Sequence, residues 1–293
     1  MLLGKVRFEY GIDEHGPGPN EYGNVLDFAL NPPLKMLWMY DSTRRKLHCY
    51  DMYTGKRRQS ISATYMAPER MAIWNGSFFF FMGDHYNYPD NPEMHYSLFC
   101  SLSGTKIDKS FFPHDRTSEF RFSYGKEHPF YYNNDKLYFI KDYETVVYQL
   151  TSESVTPVYK VELPDSLPLD VLMEVTPSLK LMQTRYSWLL SNAYEADGFL
   201  NLWFQKQGSC YAVYYDLLKD KLIYAGKQVN NHPVKDLLFI SQIHGVYKDM
   251  FFSVVPSFVI QYKISENPDV FPDDLKNLTE ESNPIIGFYR VKR

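Results

Sequence analysis

The chain has 293 residues, 44% of them hydrophobic and 23% charged. It is large enough for a substantial core, and all-β propellers and barrels of this length often form one unit. A net charge of −4 argues against a nucleic-acid partner, and no apolar window approaches the eighteen residues of a membrane span. The 25 Tyr, 21 Phe and 4 Trp, set against eight Ala, favour strands over helices and predict an all-β fold.

In chain order, Met1–Lys5 carries no export signal in the sequence as given, and Lys5–Tyr10 alternates as a strand. The loop Gly16-Pro17-Gly18-Pro19-Asn20-Glu21-Tyr22 invites a phosphate-cradle reading. No Gly-Lys-Ser/Thr follows it, however, and the next segment is a strand, so it reads as a sharp turn between strands. A unit of about fifty residues then repeats. Its first copy has strands at Asn24–Leu30, Met36–Tyr40, Lys46–Asp51 and Lys56–Ile61, and its second at Glu69–Trp74, Phe78–Met82, His95–Ser101 and Thr105–Phe111. The third turns at Asn133-Asn134-Asp135 into Leu137–Ile140, Thr145–Leu150 and Val155–Val161. The fourth turns at Asp197-Gly198 into Leu200–Phe204, Tyr211–Asp216 and Lys221–Ala225. The fifth supplies Leu237–Ile243, Met250–Val255 and Ile285–Val291. Within it, Pro272–Leu278 reads as helical, and Phe258–Lys263 fits either a helical turn or another strand.

Four short strands per unit of this length are the signature of a propeller blade, and large aromatic side chains fill the wedge between neighbouring blades. The expected architecture is one β-propeller domain over residues 1–293, with five four-stranded blades. The spare strand Lys5–Tyr10 is expected to close the last blade, beside Ile285–Val291.

Three stretches carry a family resemblance. They are the Gly16–Tyr22 loop with Asp27-Phe28, the run from Met39-Tyr40-Asp41-Ser42 through Leu47–Asp51 to Thr54-Gly55-Lys56, and the C-terminal Glu280–Lys292. Together they resemble the six-bladed β-propeller lipoproteins of Bacteroidetes, related to NHL and TolB-like propellers. The resemblance implies a cell-envelope or surface location, a lipoprotein signal, one more N-terminal blade than is counted here, and no assigned enzymatic activity.

No residue pattern specifies chemistry. Cys49, Cys100 and Cys210 are far apart, form no CxxC, and read as buried small hydrophobes. The eight His form no metal-ligand spacing, no Gly-x-Ser-x-Gly occurs, and neither cofactor nor metal is expected. Asp27, Glu69, Glu119 and Glu174 precede or open inner strands, where propeller glycosidases place acids and bases. Arg121-Phe122-Ser123-Tyr124 and Arg185-Tyr186-Ser187-Trp188 repeat one pattern, each twelve residues before its unit's inner turn. A typical strand spans about 17–20 Å, so both arginines belong to the crossing loop or to the very top of the inner strand. Arg121 and Arg185, with Arg70 as a third charge, are therefore the candidate ligand-binding residues, suited to a planar anion. Stacking on adjacent aromatics is the competing structural use. The leading function is a non-enzymatic binding or scaffold propeller for a protein or glycan ligand. The alternative is a carbohydrate hydrolase or lyase acting through loop carboxylates.

Overall fold

The computed structural model describes residues 22–64, 67–83, 95–113, 128–172, 185–227, 243–266, 268–279 and 281–292. The protein is all-β, built from antiparallel sheets in the blade arrangement of a propeller. Sheet one comprises β1 (Val25–Asn31), β2 (Met36–Asp41), β3 (Lys46–Asp51) and β4 (Arg57–Ser62), and sheet two β5 (Arg70–Trp74), β6 (Ser77–Phe81), β7 (Tyr96–Ser101) and β8 (Lys109–Pro113). Sheet three comprises β9 (Phe130–Tyr132), β10 (Leu137–Phe139), β11 (Val146–Leu150) and β12 (Val155–Lys160). Sheet four comprises β13 (Ser187–Ala196), β14 (Phe199–Lys206), β15 (Ser209–Asp216) and β16 (Lys221–Lys227). Sheet five pairs β17 (Ile243–Tyr247), β18 (Met250–Val255) and β19 (Ile285–Tyr289), and the described helices are α1 (Leu169–Leu172), α2 (Ser257–Glu266) and α3 (Asp273–Lys276). No helix among the described residues is long and apolar enough to cross a membrane.

The strands expected from sequence recur within a few residues, because alternation and turn chemistry fix them locally. The expected Lys5–Tyr10 strand lies outside the described residues, as does most of Leu237–Ile243; the described inner strand of sheet five starts only at Ile243. The last strand of sheet two starts at Lys109, not Thr105, because Leu102–Lys106 bends away from strand geometry. Phe258–Lys263, open between two conformations in the sequence, is helical.

Two compact units divide the chain: Met1–Pro129 with Thr151–Val155, and Phe130–Leu150 with Thr156–Arg293. In the first, sheets one and two share a core of Trp38, Tyr40, Leu47, Met71, Phe78, Phe80 and Phe99. The Trp38 and Phe78 rings meet edge-on with centroids 5.0 Å apart. All five residues of β6 are buried, so both of its faces are covered, and this is why Phe78–Phe81 reads as an unbroken apolar run. In the second unit Tyr131, Tyr138, Val147, Leu190, Leu200 and Phe204 join sheets three and four. Phe199, Tyr214, Ile243 and Phe251 join sheets four and five. Aromatic rings thus fill the face-to-face contacts of consecutive sheets, as the composition predicts.

The repeat also has a chemical identity at the turn from third to fourth strand. Asp51 accepts the Tyr53 and Thr54 amides, both at 2.9 Å, and Ser101 accepts Gly104 N–H at 2.8 Å. Thr151 accepts Ser154 N–H at 3.0 Å, and Asp216 accepts the Leu218 and Lys219 amides, both at 3.0 Å. An oxygen on a short side chain at this position nucleates the turn. Gly55 and Gly104, at φ 67° and 74°, then take the left-handed step that other residues resist.

Candidate functional site

In the first unit, polar groups gather where the inner strands β1 and β5 begin. Asp27 on β1 accepts Met71 N–H of β5 at 2.6 Å, joining the inner strands of consecutive sheets. Burial pushes its carboxyl above the usual carboxylate range, against the opposing pull of the Met71 amide, His128 and Arg70. Arg70, half-buried at the head of β5, donates Nη1 to the Glu69 carbonyl at 2.7 Å. Glu69 continues the strand ladder through its own N–H, 2.8 Å from the Phe81 carbonyl. Its carboxylate lies against Gly83, where a Cβ would sit 2.5 Å from Oε1, so the glycine makes room for the acid. Asp27 thus lies within electrostatic reach of His128 and Arg70, while the Glu69 carboxylate lies against Gly83.

The raised Asp27 value carries a sign. A carboxyl whose folded pKa exceeds its unfolded value favours folding below the ordinary 3.8, and that contribution is lost as pH rises through the folded value. Asp27→Asn, which keeps an acceptor for Met71, is expected to leave Tm at pH 7 unchanged or raised by about 1–3 °C. Asp27→Ala is expected to lose about 1–3 kcal/mol, because the Met71 amide loses a charged acceptor. Melting curves from pH 3 to 8 check both signs.

In the second unit, Glu195 near the end of β13 is held between two sheets. Its Oε1 accepts the hydroxyls of Tyr138, at 2.6 Å, and Tyr159, while Lys136 Nζ lies 3.0 Å from Oε2. Burial and then the Glu195 carboxylate push both phenols well above their ordinary range. Asn133, buried in the β9–β10 turn, accepts Glu195 N–H at 2.7 Å and donates to the Ala193 carbonyl at 3.0 Å. A carboxamide bonded to the carbonyl of one residue and the amide two positions on reproduces a peptide of a parallel strand. Glu195 is therefore a clasp between sheets three and four, held by three donors.

Of the three arginines expected to bind a ligand, Arg121 lies outside the described residues, as do Glu119 and Glu174. Arg185 is exposed two residues before β13, its guanidinium 5.1 Å over the Tyr186 ring. It belongs to the second unit and Arg70 to the first. Sequence reasoning missed His128, Asn133 and Glu195 as interacting groups. Asn133 was visible only as a turn residue, and nothing local marks its partner on another sheet. Cys49 and Cys100 are buried and Cys210 partly so; burial pushes all three thiols up, Cys100 to about 11. Among the described residues no group of three or more His, Cys, Asp or Glu is arranged to hold a metal.

The sequence profile of a family described as a domain of unknown function, DUF4934, matches residues 7–290. No curated protein matches the chain. Among solved structures, it is similar to a protein of Bacteroides fragilis NCTC 9343 described as exported, with TM-score 0.75 and 17% identity over 96% of this chain and 81% of that one. At that identity the likeness concerns the fold. A DUF4221 family member from Bacteroides vulgatus aligns over 83% of this chain and 76% of its own, with TM-score 0.47 and 10% identity.

Proposed function

We propose that this chain, which belongs to the DUF4934 family, described as a domain of unknown function, is a non-enzymatic binding or scaffold propeller of the bacterial cell envelope. The observation that carries this reading is how the described inner-strand carboxylates are used. Asp27 holds the Met71 amide, and Glu195 holds two tyrosine hydroxyls and a lysine, so both serve to join blades. The similar exported protein of Bacteroides supports the envelope location. Lipoprotein anchoring and kinship with six-bladed NHL and TolB-like propellers belong to the same proposal.

The ligand in this reading carries a carboxylate, as an acidic glycan or peptide does, and Arg121, Arg185 and Arg70 are each proposed as a residue that binds such a group. Arg185 is exposed, as this reading needs, while its stack on Tyr186 is the structural use that competes with it. Thermal-shift titration with glucuronate and galacturonate, with glucose as the neutral control, tests the reading. The uronates are expected to raise Tm, and Arg121→Ala/Arg185→Ala is expected to abolish that rise while leaving the unliganded Tm within about 2 °C. A shift that survives the double substitution overturns the arginine site. Release of reducing ends from polysaccharide, lost in Asp27→Asn, overturns the non-enzymatic reading in favour of a hydrolase.

A further inference from the structure

We infer that the helical segment between β18 and β19 is a docking module for a lysine- or arginine-rich segment of a partner polypeptide. Pairing of β18 with β19 does not call for a segment of this length. β18 and β19 are hydrogen-bonded neighbours, with Phe252 opposite Phe288 and Val254 opposite Ile286. The corresponding connection in sheet four is the two residues Gln207-Gly208, and in sheet one the four residues Ser42–Arg45. Here residues 256–284 intervene, 29 in all, where a hairpin closes with about 2–5. With α2 and α3 inside it, the connection is a structural element in its own right and not a turn.

The segment builds a small core against the facing ends of β18 and β19. Ile260 and Phe271 are buried with Val255, and Val259, Ile264, Leu275 and Leu278 pack against them. Gln261 Nε2 donates to the Leu278 carbonyl at 2.6 Å, tying α2 to the return of the chain. With one face of α2 anchored, Phe258 and Tyr262, one helical turn apart, are presented outward at 60% and 62% exposure. Two large aromatics held on a packed helix form a prepared contact surface.

Charge selects the occupant. Residues 256–284 contain six acidic residues and two lysines, a net charge of −4 equal to that of the whole chain, so the remainder is neutral. Both lysines are neutralised within the segment, Lys263 lying 3.4 Å from Glu266 and Lys276 2.9 Å from Asp273. Asp269 and Glu281 are exposed and form no ion pair among the described residues. Lys263 Nζ, 5.9 Å from the centre of the Tyr262 ring, shows that the ring accepts a cation. A basic segment satisfies both features, its charged heads on the acids and its apolar stems on the rings. An acidic ligand or an anionic membrane surface is repelled.

The test is fluorescence polarisation with a labelled dodecapeptide of alternating lysine and leucine. A serine–leucine peptide serves as the neutral control. Phe258→Ser/Tyr262→Ser and, separately, Asp269→Asn/Glu281→Gln are each expected to raise Kd at least tenfold, with Tm essentially unchanged because all four side chains are exposed. Asp135→Asn/Glu162→Gln, the same charge change elsewhere on the surface, is expected to change Kd less than twofold. Equal weakening by that control reduces the effect to net charge and overturns the proposal. So does unaltered binding by the serine variant, or equally tight binding of the neutral peptide. Uronate-induced stabilisation in the same variants reports separately on the arginine site.

Discussion

Asp41→Ala is expected to be among the most destabilising substitutions in the protein. The Asp41 side chain is fully buried, accepting Gly23 N–H at 2.7 Å and Arg44 N–H at 3.0 Å, with His48 Nε2 3.6 Å away. His48 Nδ1 lies 2.7 Å from Ser60 Oγ, so one carboxylate organises the entry to β1, the β2–β3 turn and the link to β4. A Cβ at Gly23 would lie 2.7 Å from the Thr43 Cβ and 2.9 Å from Asp41 Oδ1, so the chain approaches the acid as closely as glycine permits. Removing an acceptor from two amides in a buried site is expected to cost about 2–4 kcal/mol. At this chain length that lowers Tm by roughly 5–12 °C. A fall of less than about 2 °C would show that water replaces the carboxylate.

The same cluster sets a pH dependence. Burial pushes the Asp41 carboxyl up, but the Gly23 and Arg44 amides and His48 outweigh it and hold the group below the ordinary 3.8. Burial also pushes His48 below its ordinary 6.5, against the pull of Asp41. Both folded values are depressed, so both contributions are present above the ordinary values and lost as pH falls through the folded ones. Stability is therefore expected to decline first below about pH 6.5 through His48 and again below about pH 3.8 through Asp41. His48→Gln is expected to flatten the first decline and leave the second.

Asn133→Ala is the second substitution with a large expected effect, about 2–4 kcal/mol, because it orphans the Glu195 amide and the Ala193 carbonyl on an inner strand. Asn133→Asp separates two explanations. An aspartate still accepts from Glu195 N–H but sets a negative oxygen against the Ala193 carbonyl. If the side chain works as a surrogate strand peptide, donor and acceptor together, Asp should be no better than Ala in chemical denaturation. Recovery of more than half the loss by Asp would mean that the acceptor alone matters.

The resolved strand pattern was largely legible because its causes are local. Lys46–Asp51 and Met250–Val255 begin and end as their sequences predict, since alternation sets the strand and the next turn residue stops it. The aromatic composition likewise announced its use, as sheet faces wide apart need large rings between them. Two ambiguities had physical reasons. Phe258–Lys263 carries an apolar pattern compatible with helix or strand, and only packing against Phe271 and Leu275 selects the helix. β13 runs ten residues with two register shifts and with Leu189 and Asn192 at positive φ, and no propensity in Ser187–Ala196 forecasts either bulge.

The candidate site was far less legible. Asp27 and Arg70 were visible as residues, but Asp27 bonds a backbone amide 44 positions away, and Asn133 bonds one 62 positions away. A backbone amide has the same chemistry at every residue, so no side-chain pattern in the sequence can name it as a partner. The sequence by itself determined the strands, their turns and the aromatic filling of the sheets, because steric preference and alternation act over a few residues. The tertiary structure alone decided which carboxylates clasp neighbouring sheets and which aromatics stay outside, because those depend on where distant backbone segments meet.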